Sequence, residues 1–212
     1  MSKEEEKSVS ERREISRNRC YEEENFRLRF EKTNIKQYRD ILRDGNCMYL
    51  SIGVQLIDKL QSDINFRRLF KDTLEEVKKK FKAIGLEEFT YVDYLSTLEE
   101  NIDVPIQDID KYCWYEIVGL LRLITSTELR TNQEAYSPYM VDTTVERYCK
   151  LNVDPFFVEA GYLEIGALVN ILPIQIVVFD ITEDSQEYSR VYGTKGENIN
   201  ILHTPNHFEP CY

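Results

Sequence analysis

The sequence predicts an α+β fold with its helices first and a small sheet last, and three observations carry that expectation. Apolar residues recur at helical spacing from Cys47 to Leu172. The period then changes, because "IQIVVFD" (Ile174 to Asp180) and "NINILH" (Asn198 to His203) are β-branched runs of strand length. Glycine and proline are scarce, 8 and 6 among 212 residues, so long helices can run unbroken.

Residues 1–35 mix acidic and basic side chains with few apolar ones, which predicts a marginal, partly mobile helical arm ahead of a single domain at 36–212. From Cys47 to about Leu60, Leu50, Val54 and Ile57, with Gly53 alongside, mark a buried helix. In "SDINFRRLFKDTLEEVKKKFKAIG", Phe70, Leu74, Val77, Phe81 and Ile84 form one stripe; Ser62 or Asp63 can cap its start and Gly85 can end it. A third helix is expected near Tyr91 to Ile102. The segment "KYCWYEIVGLLRLITSTEL" is apolar on most sides, as a helix at the centre of its layer must be. Shorter pieces follow around Tyr139 and from Val145 to Cys149, then "GYLEIGALVNIL" reads as a helix that Pro173 stops. The closing "HFEPCY" reads as a short third strand.

Composition narrows the function. Hydrophobic residues at 42% and charged residues at 31% suit a globular domain, long enough to bury roughly two-thirds of its unfolded surface. The net charge of −11 disfavours a phosphate-binding surface and hence nucleic acid. No stretch approaches the roughly 20 apolar residues of a membrane span, and the start lacks the apolar core of a signal peptide, so a cytoplasmic (or also nuclear) location is expected. The 5 cysteines are odd in number and scattered without a CxxC pair, against both a disulfide framework and a zinc site.

"DGNCMYL" (44–50) sets a thiol at the predicted first turn of a helix. A free thiol is only a few per cent ionised at neutral pH, so a nucleophilic cysteine needs help. Unpaired N–H groups and the helix dipole favour the anion at that end, and Gly45 lets the amides of the Asp44 to Cys47 turn converge on an oxyanion. The base must come from 2 histidines. His207 opens the last strand after the turn "TPN" and is expected to project from a sheet edge, whereas His203 ends a buried-looking strand. Glu209, two residues on, shares the His207 face and can orient the imidazole.

Plainer readings stand beside these. A cysteine at the start of an apolar helix is often a packing residue, and Cys20, Cys113, Cys149 and Cys211 are read as such. His203, His207 and Cys211 make a weak metal set, with three ligands split by a proline-containing turn. Glu209 can be a solvated edge charge, and Asp-Gly-Asn an ordinary turn.

The motifs resemble a known family. "DGNCMYLSIG" is similar to the nucleophile motif of the OTU (ovarian-tumour) cysteine proteases, and "NILHTPNHFEPCY" to their closing strand pair. Between them, "WYEIVGLLRLITS", "VDPFF" and "YLEIGALVNILPIQIVVFD" resemble the otubain branch in order and spacing, over residues 36–212. The resemblance implies a papain-like OTU fold, a helical layer and insertion packed on a small mixed β-sheet. It implies a cofactor-free deubiquitinase that cleaves ubiquitin isopeptide bonds, with Cys47 as nucleophile, His207 as general base, Asp44 contributing backbone to the oxyanion hole and Glu209 at the third triad position. It suggests a preference for the chain linkage that sends proteins to the proteasome. Expected partners are ubiquitin or polyubiquitin, and a ubiquitin-conjugating enzyme contacted through the arm; the chain is expected to act as a monomer. Glu209 stands where the family carries Asp or Asn, and Leu50 where it often carries Arg. Two alternatives stay open: a weakly active or inactive module that binds ubiquitin or a conjugating enzyme, and a hydrolase for another ubiquitin-like modifier.

Overall fold

A computed structural model of the chain describes residues 8–14, 29–86, 88–182 and 188–212. Within the arm, residues 8–14 are extended, against the helix expected there. Strand β1 (Arg13–Glu14) pairs antiparallel with β2 (Gln37–Tyr38), and Val9 bridges Ile41. A short mixed-charge helix is marginal in water, whereas pairing with β2 satisfies the backbone and lets Val9 be buried. The arm's charges are used there too, as Arg12 stacks on the Tyr212 ring at 3.8 Å and pairs with Asp58 at 3.0 Å. Residues 29–31 form a helical turn, in line with the expectation, and residues 1–7 and 15–28 with Cys20 lie outside the described residues.

The longer helices of the domain follow. Helix α1 (Cys47–Ser62) is buried on nearly all sides, since it lies between α4 and the sheet. Gly53 permits that approach: a Cβ there would sit 3.3 Å from the Ile117 side chain. Asp63 caps α2 (Ile64–Ala83), its Oδ1 accepting from the N–H groups of Asn65 and Phe66 at 2.8 and 3.1 Å. The stripe Phe66, Phe70, Leu74, Val77 and Phe81 is the buried face of α2. Helix α3 (Glu88–Asn101) closes on it through Tyr91, whose hydroxyl donates to Leu74 O at 2.9 Å. The expected core helix is α4 (Lys111–Thr131), capped by Asp110. Short turns at Gln133–Tyr136 and Val145–Tyr148 and a π-turn at Cys149–Val153 lead to α5 (Tyr162–Ile171), which ends ahead of Pro173.

The sheet is mixed, in the order β4-β3-β5-β6. Strands β3 (Ile174–Asp180) and β5 (Glu197–Thr204) are parallel and central; β4 (Ser189–Tyr192) and β6 (His207–Pro210) flank them antiparallel. Strand β4 has no counterpart in the sequence reading. "SRVY" is mostly exposed and carries no alternating apolar face, so the pattern gives no sign of it. Because β6 is an edge strand packed against α1, the Phe208 N–H is left to reach Cys47, and this contact builds the site.

Candidate active site

Cys47 occupies the first position of α1, with Asn46 as N-cap and the Leu50 N–H bonding Asn46 O at 2.9 Å. Its sulfur is hydrogen-bonded by the backbone N–H of Phe208, the residue after His207, and by that of Met48. The motif at one end of the domain and the closing strand at the other thus meet at one atom. The expected ionisation of the thiol does not follow. Cys47 is only 7% exposed, and loss of water pushes its thiol above the ordinary value. The two amides pull the other way without overcoming it, and the carboxylates of Glu159 and Asp44 add to the rise.

The Asp44 to Cys47 turn is tight. Gly45 has φ +81°, and a Cβ there would stand 2.4 Å from the Phe157 carbonyl oxygen, so glycine is required both for the angle and for the space. Asp44 Oδ1 accepts from the Asn46 N–H at 3.0 Å, and its Oδ2 from the Tyr115 hydroxyl at 3.1 Å. The amides of this turn therefore do not all converge on one point, because that of Asn46 is held inside it. The Cys47 N–H has no acceptor within its helix and remains the donor at the sulfur's own residue.

Opposite stands β6. His207 Nε2 faces Glu209 Oε1 at 3.6 Å, with both side chains buried, so the longer carboxylate reaches the ring and is not a solvated edge charge. Against the expectation that His207 is the more projecting histidine, it is 1% exposed, because α1 covers the edge that bears it. His203 is the more open one. Its Nδ1 lies 3.2 Å from Asp180 Oδ2 and from the Tyr162 hydroxyl, and its ring stacks on Phe208 at 4.3 Å. Since Phe208 and His207 alternate along the strand, the two histidines lie on opposite faces, which takes them apart as metal ligands.

Sequence reasoning missed the residues that hold the turn. Arg122, buried on α4, donates to Asn46 Oδ1 at 2.9 Å and Gly45 O at 3.3 Å, and to the carbonyls of Val153 and Val158 at 3.0 and 2.8 Å. Phe157, with φ +65°, gives its N–H to Asn46 Oδ1 at 3.1 Å and lays its ring edge-on to Tyr115 at 5.7 Å. The one available signal was a charged residue in the otherwise apolar "GLLRLI".

The Peptidase C65 Otubain family matches residues 5–210 of the chain. The chain belongs to the otubain family. The match takes in the arm as well as the domain, and the expectation of an otubain-like cysteine peptidase is borne out. Ubiquitin thioesterase OTUB1 of Homo sapiens is 26% identical to this otubain over 223 residues, 96% of this chain and 82% of the relative. OVARIAN TUMOR DOMAIN-containing deubiquitinating enzyme 1 of Arabidopsis thaliana is 24% identical over 216 residues, 83% of this chain and 70% of its own. The otubain superposes on h/ceOTUB1, solved with ubiquitin aldehyde and UBC13~Ub, with a TM-score of 0.80 at 20% identity, covering 98% of this chain and 91% of that one. That likeness bears out the α+β OTU fold.

Proposed function

We propose that this otubain is a deubiquitinase that hydrolyses ubiquitin isopeptide bonds through Cys47 and His207. The observation that carries the reading is the Phe208 N–H on the Cys47 sulfur, which brings the nucleophile beside the histidine strand. Because burial keeps the sulfur protonated in the free protein, ionisation is coupled to proton transfer. His207 takes the thiol proton as the sulfur attacks the terminal glycine carbonyl of ubiquitin. Glu209, facing Nε2, stabilises the imidazolium so formed. Negative charge develops on the carbonyl oxygen at the 44–47 turn, where the Cys47 N–H faces it. His207 then protonates the departing lysine amine. Water, deprotonated by His207, cleaves the thioester and releases the ubiquitin carboxylate with the thiol restored.

Ubiquitin chains and a ubiquitin-conjugating enzyme are the partners we assign, supported by the ubiquitin aldehyde and UBC13~Ub carried by the OTUB1 structures of the same fold. The preferred linkage is proposed to be the one that sends proteins to the proteasome. A panel of linkage-defined diubiquitins with the purified chain tests the reading. Cleavage of that linkage ahead of the others, abolished by Cys47→Ala, is expected; cleavage that survives Cys47→Ala would overturn the nucleophile assignment. The raised thiol favours a second reading, a binding module of low activity. Intact chains with retained ubiquitin binding across the panel would establish it instead.

A further inference from the structure

Asn46 is an N-cap that does not cap. Asparagine is among the best residues for this position because its side chain can accept from the first helical N–H groups, yet here it makes no such bond. Its Oδ1 accepts instead from Arg122 Nη2 and from the Phe157 N–H. Arg122 is equally out of place. It is 1% exposed, and its four hydrogen bonds all go to neutral oxygens. A buried cation satisfied in that way is a poor source of stability. Both local rules are broken at one contact, where position rather than stability has been favoured.

The contact has a geometric effect. The peptide unit between Gly45 and Asn46 is planar, so its carbonyl and N–H point in opposite directions. Arg122 holds the carbonyl at 3.3 Å, and Asp44 Oδ1 holds the N–H at 3.0 Å. With both ends fixed, this unit cannot rotate; the next unit is held by the Leu50 N–H on Asn46 O at 2.9 Å, so the Cys47 N–H is set by the two planes together. The same guanidinium holds the carbonyls of Val153 and Val158, the ends of the segment whose Phe157 carbonyl presses on Gly45. The Tyr49 ring supports it from α1, 4.6 Å from the guanidinium carbon.

We propose that Arg122 is a positioning residue of the nucleophile turn, which aims the Cys47 N–H at the developing oxyanion by clamping Gly45 and Asn46 against the 153–158 segment. This rests on Cys47 being the nucleophile. Lysine keeps the charge but cannot reproduce the two-pronged grip.

The test uses the full chain and ubiquitin bearing a C-terminal fluorogenic amide. Arg122→Lys and Asn46→Ala each lower kcat at least tenfold with KM within threefold of the unmodified protein, as expected when a transition-state donor is misaligned. Because both act through one peptide unit, the double variant falls no more than threefold below the worse single variant. Ubiquitin affinity in a Cys47→Ala background stays within threefold, so loss of fold is not the cause. A kcat loss below tenfold in either folded variant, a loss carried by KM, or losses that multiply would overturn the proposal. Asn46→Ala leaves Arg122's other bonds in place and decides the matter if Arg122→Lys does not fold. Cys47→Ala, run alongside, tests the nucleophile separately. Should that reading fail, amide exchange decides: faster exchange at 44–47 in Arg122→Lys supports the clamp, and unchanged exchange overturns it.

Discussion

Cys47 loses most of its water on entering the first turn of α1, and this loss outweighs the two backbone amides that reach its sulfur. The thiol is consequently a weaker acid than a free one, and alkylation by iodoacetamide should have its pH midpoint above the ordinary value of about 8.5. Glu159 contributes to that rise, since a carboxylate disfavours a neighbouring thiolate. Glu159→Gln should therefore move the midpoint down, and an unmoved or higher midpoint would exclude the carboxylate as a cause. At His207, a buried carboxylate at 3.6 Å favours the charged ring. Glu209→Gln should lower kcat on diubiquitin by roughly 10²-fold, in the range of a lost acid–base contribution, with ubiquitin binding unchanged. Cys47, His207 and Glu209 were legible because their signals are local: a thiol after a glycine turn, two histidines to choose from, and a strand period of two. Arg122 was not, since its partner Asn46 lies 76 residues away and its own helix reads as apolar core. The direction of the thiol shift was also hidden, because burial depends on how closely β6 covers α1.

Among the elements, those with strong periodicity and local caps formed where expected. Asp63→Ala removes two hydrogen bonds at the start of α2 and should cost about 1 kcal/mol, measured by urea denaturation. Gly45→Ala is a harsher change, because a left-handed φ and a 2.4 Å approach to a carbonyl act together. It should reduce activity on diubiquitin far more than the cap variant does. The elements that escaped sequence reading are β1, β2 and β4. Each is short, and each is held by hydrogen bonds to a partner strand rather than by an apolar face of its own. Propensity has little to report where the partner strand does the stabilising.

Across the molecule, α1 against the sheet edge forms the candidate site, while the other face of the sheet carries Asp180 and His203, met by the Tyr162 hydroxyl from α5. Burial raises the Asp180 carboxyl, but hydrogen bonds from Thr182, Tyr162 and His203 prevail and draw it down to about 2 from 3.8. A carboxyl lowered by folding stabilises the native state above its unfolded value, and that contribution is lost as pH falls from about 4 toward about 2. Asp180→Asn should flatten this part of the pH dependence of Tm; an unaltered acid limb would mean that other carboxyls carry it. The sequence by itself determined the order of the long helices and of strands β3, β5 and β6, the cysteine at a helix start and the histidine at a strand start, because periodicity, turn chemistry and residue type act over a few neighbours. Only the tertiary structure decided that these two ends meet, that Arg122 grips the turn between them, and that the thiol is raised. Those outcomes depend on which surfaces exclude water from each other, and no local stretch of chain contains that information.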